Sequence, residues 1–154
     1  MFNSKNMKQK KGFTLIELLV VVGVISILAA TVIVNLRGVR ERAMDTRVQG
    51  AMGQVRSVAE IIHMRAGALG YSALCAATES ASTLNATPTE LATLDAEIFA
   101  NNGGNSEVCF STATDYCVSA RFIEVGQHWC ISSIGRVGRT TTSCTTATAC
   151  PPFI

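Results

Sequence analysis

The sequence predicts an α+β fold, with a long N-terminal α-helix packed on a small antiparallel β-sheet head whose C-terminal loop is pinned by disulfides. Three observations predict it. Phe13 to Val34 is a 22-residue run whose one charge is Glu17. From Val39 to Ile62, apolar residues recur every three or four positions, and no proline occurs before Pro88. All six cysteines (Cys75, Cys109, Cys117, Cys130, Cys144, Cys150) lie beyond residue 66, in a part of the chain rich in β-branched and aromatic runs.

The chain has 154 residues, 48% apolar and 16% charged. This suits one domain with an appendage and excludes a large multi-domain enzyme. The net charge of +2 conceals a segregation. Residues 1–12 hold Lys5, Lys8, Lys10 and Lys11 and no acid; residues 13–36 hold Glu17 alone. Residues 37–66 carry six arginines against Glu41, Asp45 and Glu60, whereas residues 67–154 carry three arginines against seven acids. Four segments follow: a basic leader (1–12), a hydrophobic half-helix (13–36), an amphipathic stem (37–66) and an acidic, cysteine-rich head (67–154).

The apolar run is long enough to span a membrane, for which about 20 residues suffice. Lysines before it favour a cytoplasmic N-terminus, and the cysteines of the head favour an oxidising compartment on the other side. A secretory signal would end in a small-residue cleavage site, but here the helical pattern continues past Ala29 and Ala30. Glu17 fits neither a signal nor a plain anchor, because a carboxylate within a membrane helix costs roughly 2.5–3.5 kcal/mol. Either it sits at the membrane surface in reach of water, or something compensates it.

The local sequence Lys10-Lys11-Gly12-Phe13-Thr14-Leu15-Ile16-Glu17 resembles the class III leader and N-terminal segment of type IV pilins and the related pseudopilins of type II secretion systems. The resemblance covers roughly residues 8–36. It implies a type IV pilin-like fold, cleavage by a membrane prepilin peptidase between Gly12 and Phe13, and N-methylation of the new Phe13 amine. It also implies that Glu17 compensates the Phe13 amine of a neighbouring subunit during assembly. Elementary electrostatics agrees, since one subunit's carboxylate and another's ammonium each remove the cost of an unpaired charge in an apolar setting. Methylation keeps the amine positive, so the pairing survives it.

In the stem, Val39, Ala43, Val48, Ala51, Met52, Val55, Val58, Ala59 and Ile62 form one apolar stripe of a helix running from about Thr14 to Met64, ended by Ala66-Gly67-Ala68-Leu69-Gly70. Many bacterial type IV pilins carry a proline in the apolar half; here Val34 and Asn35 occupy that region, with Gly23 and Gly38 as its weak points. In the head, Thr87-Pro88-Thr89-Glu90 has the form of a capping box and predicts a short helix over 88–100. Glu107–Ser111, Tyr116–Glu124 and Gln127–Arg136 predict an antiparallel meander. A two-residue turn at Val125-Gly126 would set Arg121 opposite Cys130 and Ile134 opposite Cys117. Cys117 and Cys130 then share a face without being opposite, which favours bonds outside the hairpin for each, and a bulged turn would change that register. The threonine-rich segment 140–154 is too polar for a core and reads as a loop held by Cys144 and Cys150. The cysteine spacings lack a C-x-x-C pair, which favours disulfides over zinc, and they leave 15 pairings open.

These readings predict a structural subunit, not an enzyme: a pilin stored in the inner membrane with its N-terminus cytoplasmic, then polymerised into a surface filament. No cofactor or metal is expected. The expected partners are further copies of the chain in a helical filament, the prepilin peptidase and methylase, an inner-membrane assembly platform, membrane lipid before assembly, and DNA only as a ligand of the whole filament. Stem arginines are expected to meet acids such as Glu79, Asp95 or Glu97 of adjacent heads. Rival readings are a pseudopilin of type II secretion or of DNA uptake, and a membrane-anchored extracellular binding module. Many major pseudopilins hold calcium through C-terminal acids, and residues 125–154 contain none. An anchored enzyme lacks a constellation: there is no G-x-S-x-G, H-E-x-x-H or phosphate loop, and His63 and His128 have no catalytic partner in the sequence.

Overall fold

The computed structural model describes residues 12–77, 82–123 and 126–154 and, within the first helix, every side chain except those of Val34, Asn35 and Arg37. The leader lysines, Glu79, Glu124 and Val125 lie outside the described residues. The first helix, α1, covers Leu15–Ala66. Contacts divide the chain between Val39 and Arg40 into two compact units.

In the first unit, Gly23 leaves α1 unbroken, and every described side chain from Phe13 to Leu36 is exposed. Among the described residues, α1 contains the helix long and apolar enough to cross a membrane. A helix apolar on all sides requires lipid or protein around it.

The second unit is built on the remainder of α1. Val48, Ala51, Met52, Val55, Ala59 and Ile62 are buried, following the expected stripe, and Val58 packs beside them. Val39 and Ala43 depart from that expectation and are exposed, because burial along α1 begins only at Asp45. Each large apolar side chain removed from water contributes about 1.5–3 kcal/mol, so this half of the helix is held by packing.

α1 ends at Ala66 and passes into a 3₁₀ segment over Gly67–Ala73 that is kinked at Gly70, with φ +53° and ψ −125°. The Tyr71 N–H donates to the Ala113 carbonyl at 3.2 Å, and a Cβ on Gly70 would lie 1.6 Å from that oxygen. Only glycine fits there, for both its backbone angles and its missing side chain.

The second helix, α2 (Thr89–Asn101), buries Leu91, Leu94 and Ile98 at helical spacing. Its start differs from the expected capping box. Pro88 occupies the N-cap position, and no side chain caps the helix. Thr87 is committed elsewhere, because both its N–H and its hydroxyl donate to Asn85 Oδ1 at 3.2 Å.

Four strands, β1 (Val108–Ser111), β2 (Tyr116–Arg121), β3 (His128–Ser132) and β4 (Val137–Thr140), form one antiparallel meander in sequence order. The meander was expected; β4 and the break before it were not. A turn over Ser133–Arg136 with Gly135 at φ +81° ends β3 early, closed by the Ser132 N–H to the Arg136 carbonyl. The β2–β3 register also differs: Arg121 faces His128, and Cys117 faces Ser132. The physical reason is a longer connection. Phe122 N–H donates to the Gln127 carbonyl, leaving four residues in the loop, and Ile123 N–H donates to Asp45 Oδ1 of α1 at 3.0 Å. The shift is by two, so side chains keep their faces.

Alternation along β2 then sorts the two faces. Tyr116, Val118 and Ala120 join the core formed with α1 and α2, while Cys117 on the opposite face clusters with Cys130, Cys144 and Cys150. The polar C-terminal segment covers that second face, and Cys144 N–H donates to Ser119 Oγ at 2.9 Å.

Candidate functional site at the helix start

The start of α1 is built by two side chains. Thr14 N–H and Thr14 Oγ1–H donate to Glu17 Oε2 at 2.9 and 2.8 Å, and Glu17 N–H donates back to Thr14 Oγ1 at 3.3 Å. Thr14 is therefore the N-cap and Glu17 the N3 residue of a capping box, with a carboxylate at the positive end of the helix dipole. Both donors converge on Oε2; Glu17 Oε1 has no hydrogen bond among the described residues. Phe13, Ile16, Glu17, Val20 and Val21 line one open apolar hollow of about 400 Å³, and Glu17 is its one charge. The hollow can therefore receive an apolar group carrying a cation. Gly12 and Phe13 precede the helix and are exposed.

The prokaryotic N-terminal methylation motif, a family defined on such segments, matches residues 7–33. The N-terminal segment therefore carries the methylation motif found in prepilin-like chains. The chain is similar to the type IV wide pilus major component PilA4 of Thermus thermophilus, with 60% identity over 42 residues. That match covers 27% of this chain and 32% of the relative, so the chain spans about a third of that relative's length. No solved structure matches the chain. The fold is itself type IV pilin-like, with a long N-terminal helix, a small antiparallel sheet and a disulfide-pinned C-terminal loop.

In this pilin-like chain the six cysteines pair as Cys75–Cys109, Cys117–Cys144 and Cys130–Cys150. Neither Cys117 nor Cys130 bonds within the β2–β3 hairpin. The two C-terminal bridges touch, with the Cys117 and Cys130 sulfurs 3.4 Å apart. The sulfurs of Cys117, Cys130 and Cys144 lie within 4.8 Å of one another, but their disulfides leave no thiolate for a metal.

His63 stacks on Tyr71 with ring centroids 4.4 Å apart, and His128 faces Arg121 across the sheet. Burial, and then the Arg121 charge, lower the His128 pKa. His63 lies on the stem part of α1 and His128 on β3. Tyr71 Oη donates to Glu60 at 3.0 Å; burial and then that bond raise its pKa.

Glu107 was not singled out in the sequence. It is 2% exposed, and its Oε1 accepts the Leu84 N–H at 2.7 Å. Its Oε2 meets no donor, and the neighbouring group is another carboxyl, Asp95. Burial first, and then the hydrogen bond with Asp95, push the Glu107 pKa up to about 7. Thr14 was also missed, although Thr14-Leu-Ile-Glu17 is a legible capping-box pattern.

Proposed function

We propose that the chain is a structural subunit of a type IV filament. It is held in the inner membrane as a precursor, cut after Gly12, N-methylated at Phe13 and polymerised through the apolar half of α1. One observation carries this reading: the methylation motif coincides with a helix start whose single acid leaves Oε1 without a hydrogen bond among the described residues, beside an exposed apolar hollow. Intrachain capping occupies Oε2, which leaves Oε1 to accept the Phe13 ammonium of an adjoining copy. The pairing sets the axial register between subunits. Assembly moves the same apolar surface from lipid to neighbouring helices and exposes little of it to water.

The reading assigns the subunit to a pilus in preference to a pseudopilus because residues 125–154 hold no carboxylate side chain for the C-terminal calcium site described for many major pseudopilins. Further copies of the chain, the prepilin peptidase and methylase, and a membrane assembly platform are its partners.

The test is expression of Glu17→Ala in the native cell, scoring leader removal and sheared surface filaments together. Normal processing with filaments lost or disordered is the expected result. Wild-type filament yield would remove the pairing role.

A further inference from the structure

α2, whose sequence is TELATLDAEIFAN, carries three acids and no base. Glu90 and Glu97 are exposed and stand seven residues apart, two helical turns or about 10 Å, on one flank of the buried Leu91-Leu94-Ile98 stripe. Asp95 lies on the other flank and is engaged with the buried Glu107. On the stem, Arg40 and Arg47 are also exposed and also seven residues apart, on one flank of the stripe that begins at Val48. Among the described residues, none of these four charged groups has a hydrogen bond or an ion pair within its own chain. Glu90 shares a small cleft with Arg65 of its own chain without bonding to it. The two pairs are opposite in sign and equal in spacing.

We infer that α2 of one copy docks along the stem of a second copy, with the Glu90/Glu97 pair meeting the Arg40/Arg47 pair in a two-rung ion-pair ladder. This rests on the filament reading and adds to it the surface that joins heads to stems. The occupant is a second copy because the complementary surface belongs to the same chain, and because the exposed apolar half-helix requires neighbours in any case. Charge pairs of this kind fix register and exclude wrong partners more than they add affinity. They also weaken as salt rises. The inference narrows the acids expected to meet the stem: Asp95 is replaced by Glu90, Glu97 remains, and Glu79 lies outside the described residues.

The test is a charge swap in the full-length protein in the native cell, with N-terminal processing and Trp129 fluorescence as checks on maturation and folding. Arg40→Glu/Arg47→Glu and Glu90→Arg/Glu97→Arg should each cut sheared filament yield about tenfold, since facing like charges cost several kcal/mol. The four changes combined should restore it. A parallel measurement uses Arg40→Gln/Arg47→Gln, whose filaments should lose the salt sensitivity of the wild type. If wild-type filaments form and either reversal assembles normally, or the combined swap fails to recover although it folds, the ladder is overturned and the filament reading stands. A partner such as an anionic lipid surface would give that second pattern. If the processed wild type forms no filament, the filament reading itself fails.

Discussion

Thr14 and Glu17 close the start of α1 on each other, the threonine donating twice to one carboxylate oxygen while the other oxygen has no hydrogen bond among the described residues. Glu17 therefore has two separable duties, a cap within the chain and a charge for a neighbour. Glutamine can fill the capping role but carries no charge. Glu17→Gln should therefore be processed normally and fail to assemble, as is expected of Glu17→Ala. Thr14→Ala, which loses about 1 kcal/mol of cap, should still assemble. Filament yield from the three variants, with leader removal monitored, checks this. Assembly by Glu17→Gln at the wild-type level would reduce Glu17 to a cap.

Gly67 and Gly70 both adopt positive φ, but only Gly70 faces a neighbour. Gly67→Ala meets open space and should cost about 1 kcal/mol, from backbone angle alone. Gly70→Ala drives a methyl into the Ala113 carbonyl and should cost about 3 kcal/mol or more, or prevent folding of the head. Thermal unfolding followed by Trp129 fluorescence in detergent-solubilised protein separates the two; equal shifts would contradict the close approach at Gly70.

The Glu107 carboxyl gives stability a pH dependence of known sign. Its folded pKa is raised to about 7 from 4.5. Between those values the folded chain binds more protons than the unfolded chain, so this contribution is full below about pH 4.5, declines as pH rises and is lost above about pH 7. Glu107→Gln keeps an acceptor for the Leu84 N–H and removes the ionisation. Its stability relative to wild type should therefore rise by roughly 1–3 kcal/mol between pH 5 and pH 8. Denaturant titrations at the two pH values measure it, and a difference that is flat with pH would show that Glu107 ionises freely.

The C-terminal segment holds few apolar side chains with which to pack, so its attachment should depend on covalent bonds. Non-reducing peptide mapping should recover Cys75–Cys109, Cys117–Cys144 and Cys130–Cys150. Cys130→Ser/Cys150→Ser should destabilise the head by about 2–5 kcal/mol and open residues 145–149 to proteolysis. Unchanged protease resistance would mean that packing alone holds the loop.

The sequence made much of this legible, for identifiable reasons. The stem stripe and α2 followed from a helical period, and the strands from β-branched runs, because both patterns record which face is buried. The capping-box pattern failed at Thr87, where Asn85 takes the hydroxyl, and was overlooked at Thr14, where it holds. Local motifs compete with neighbours that a linear reading does not display. The hairpin register slipped by two because the Asp45 bond that captures Ile123 N–H joins positions 78 residues apart. Strand β4 went unseen behind Ile134-Gly135, whose turn sits inside an otherwise strand-like run. Disulfide partners were beyond reach for the same reason, since pairing depends on where the loop folds back over the sheet. Glu107 looked like an ordinary strand-edge acid, and its burial beside Asp95 is a tertiary fact.

The central claim is that the chain matures at the Gly12–Phe13 bond and then assembles through Glu17. Mass spectrometry of the N-terminal peptide from protein isolated from the native cell envelope tests it most directly. The account predicts a chain that begins at Phe13 with a methylated amine. A chain that retains Met1 through Gly12 in assembled, surface-exposed material would contradict it.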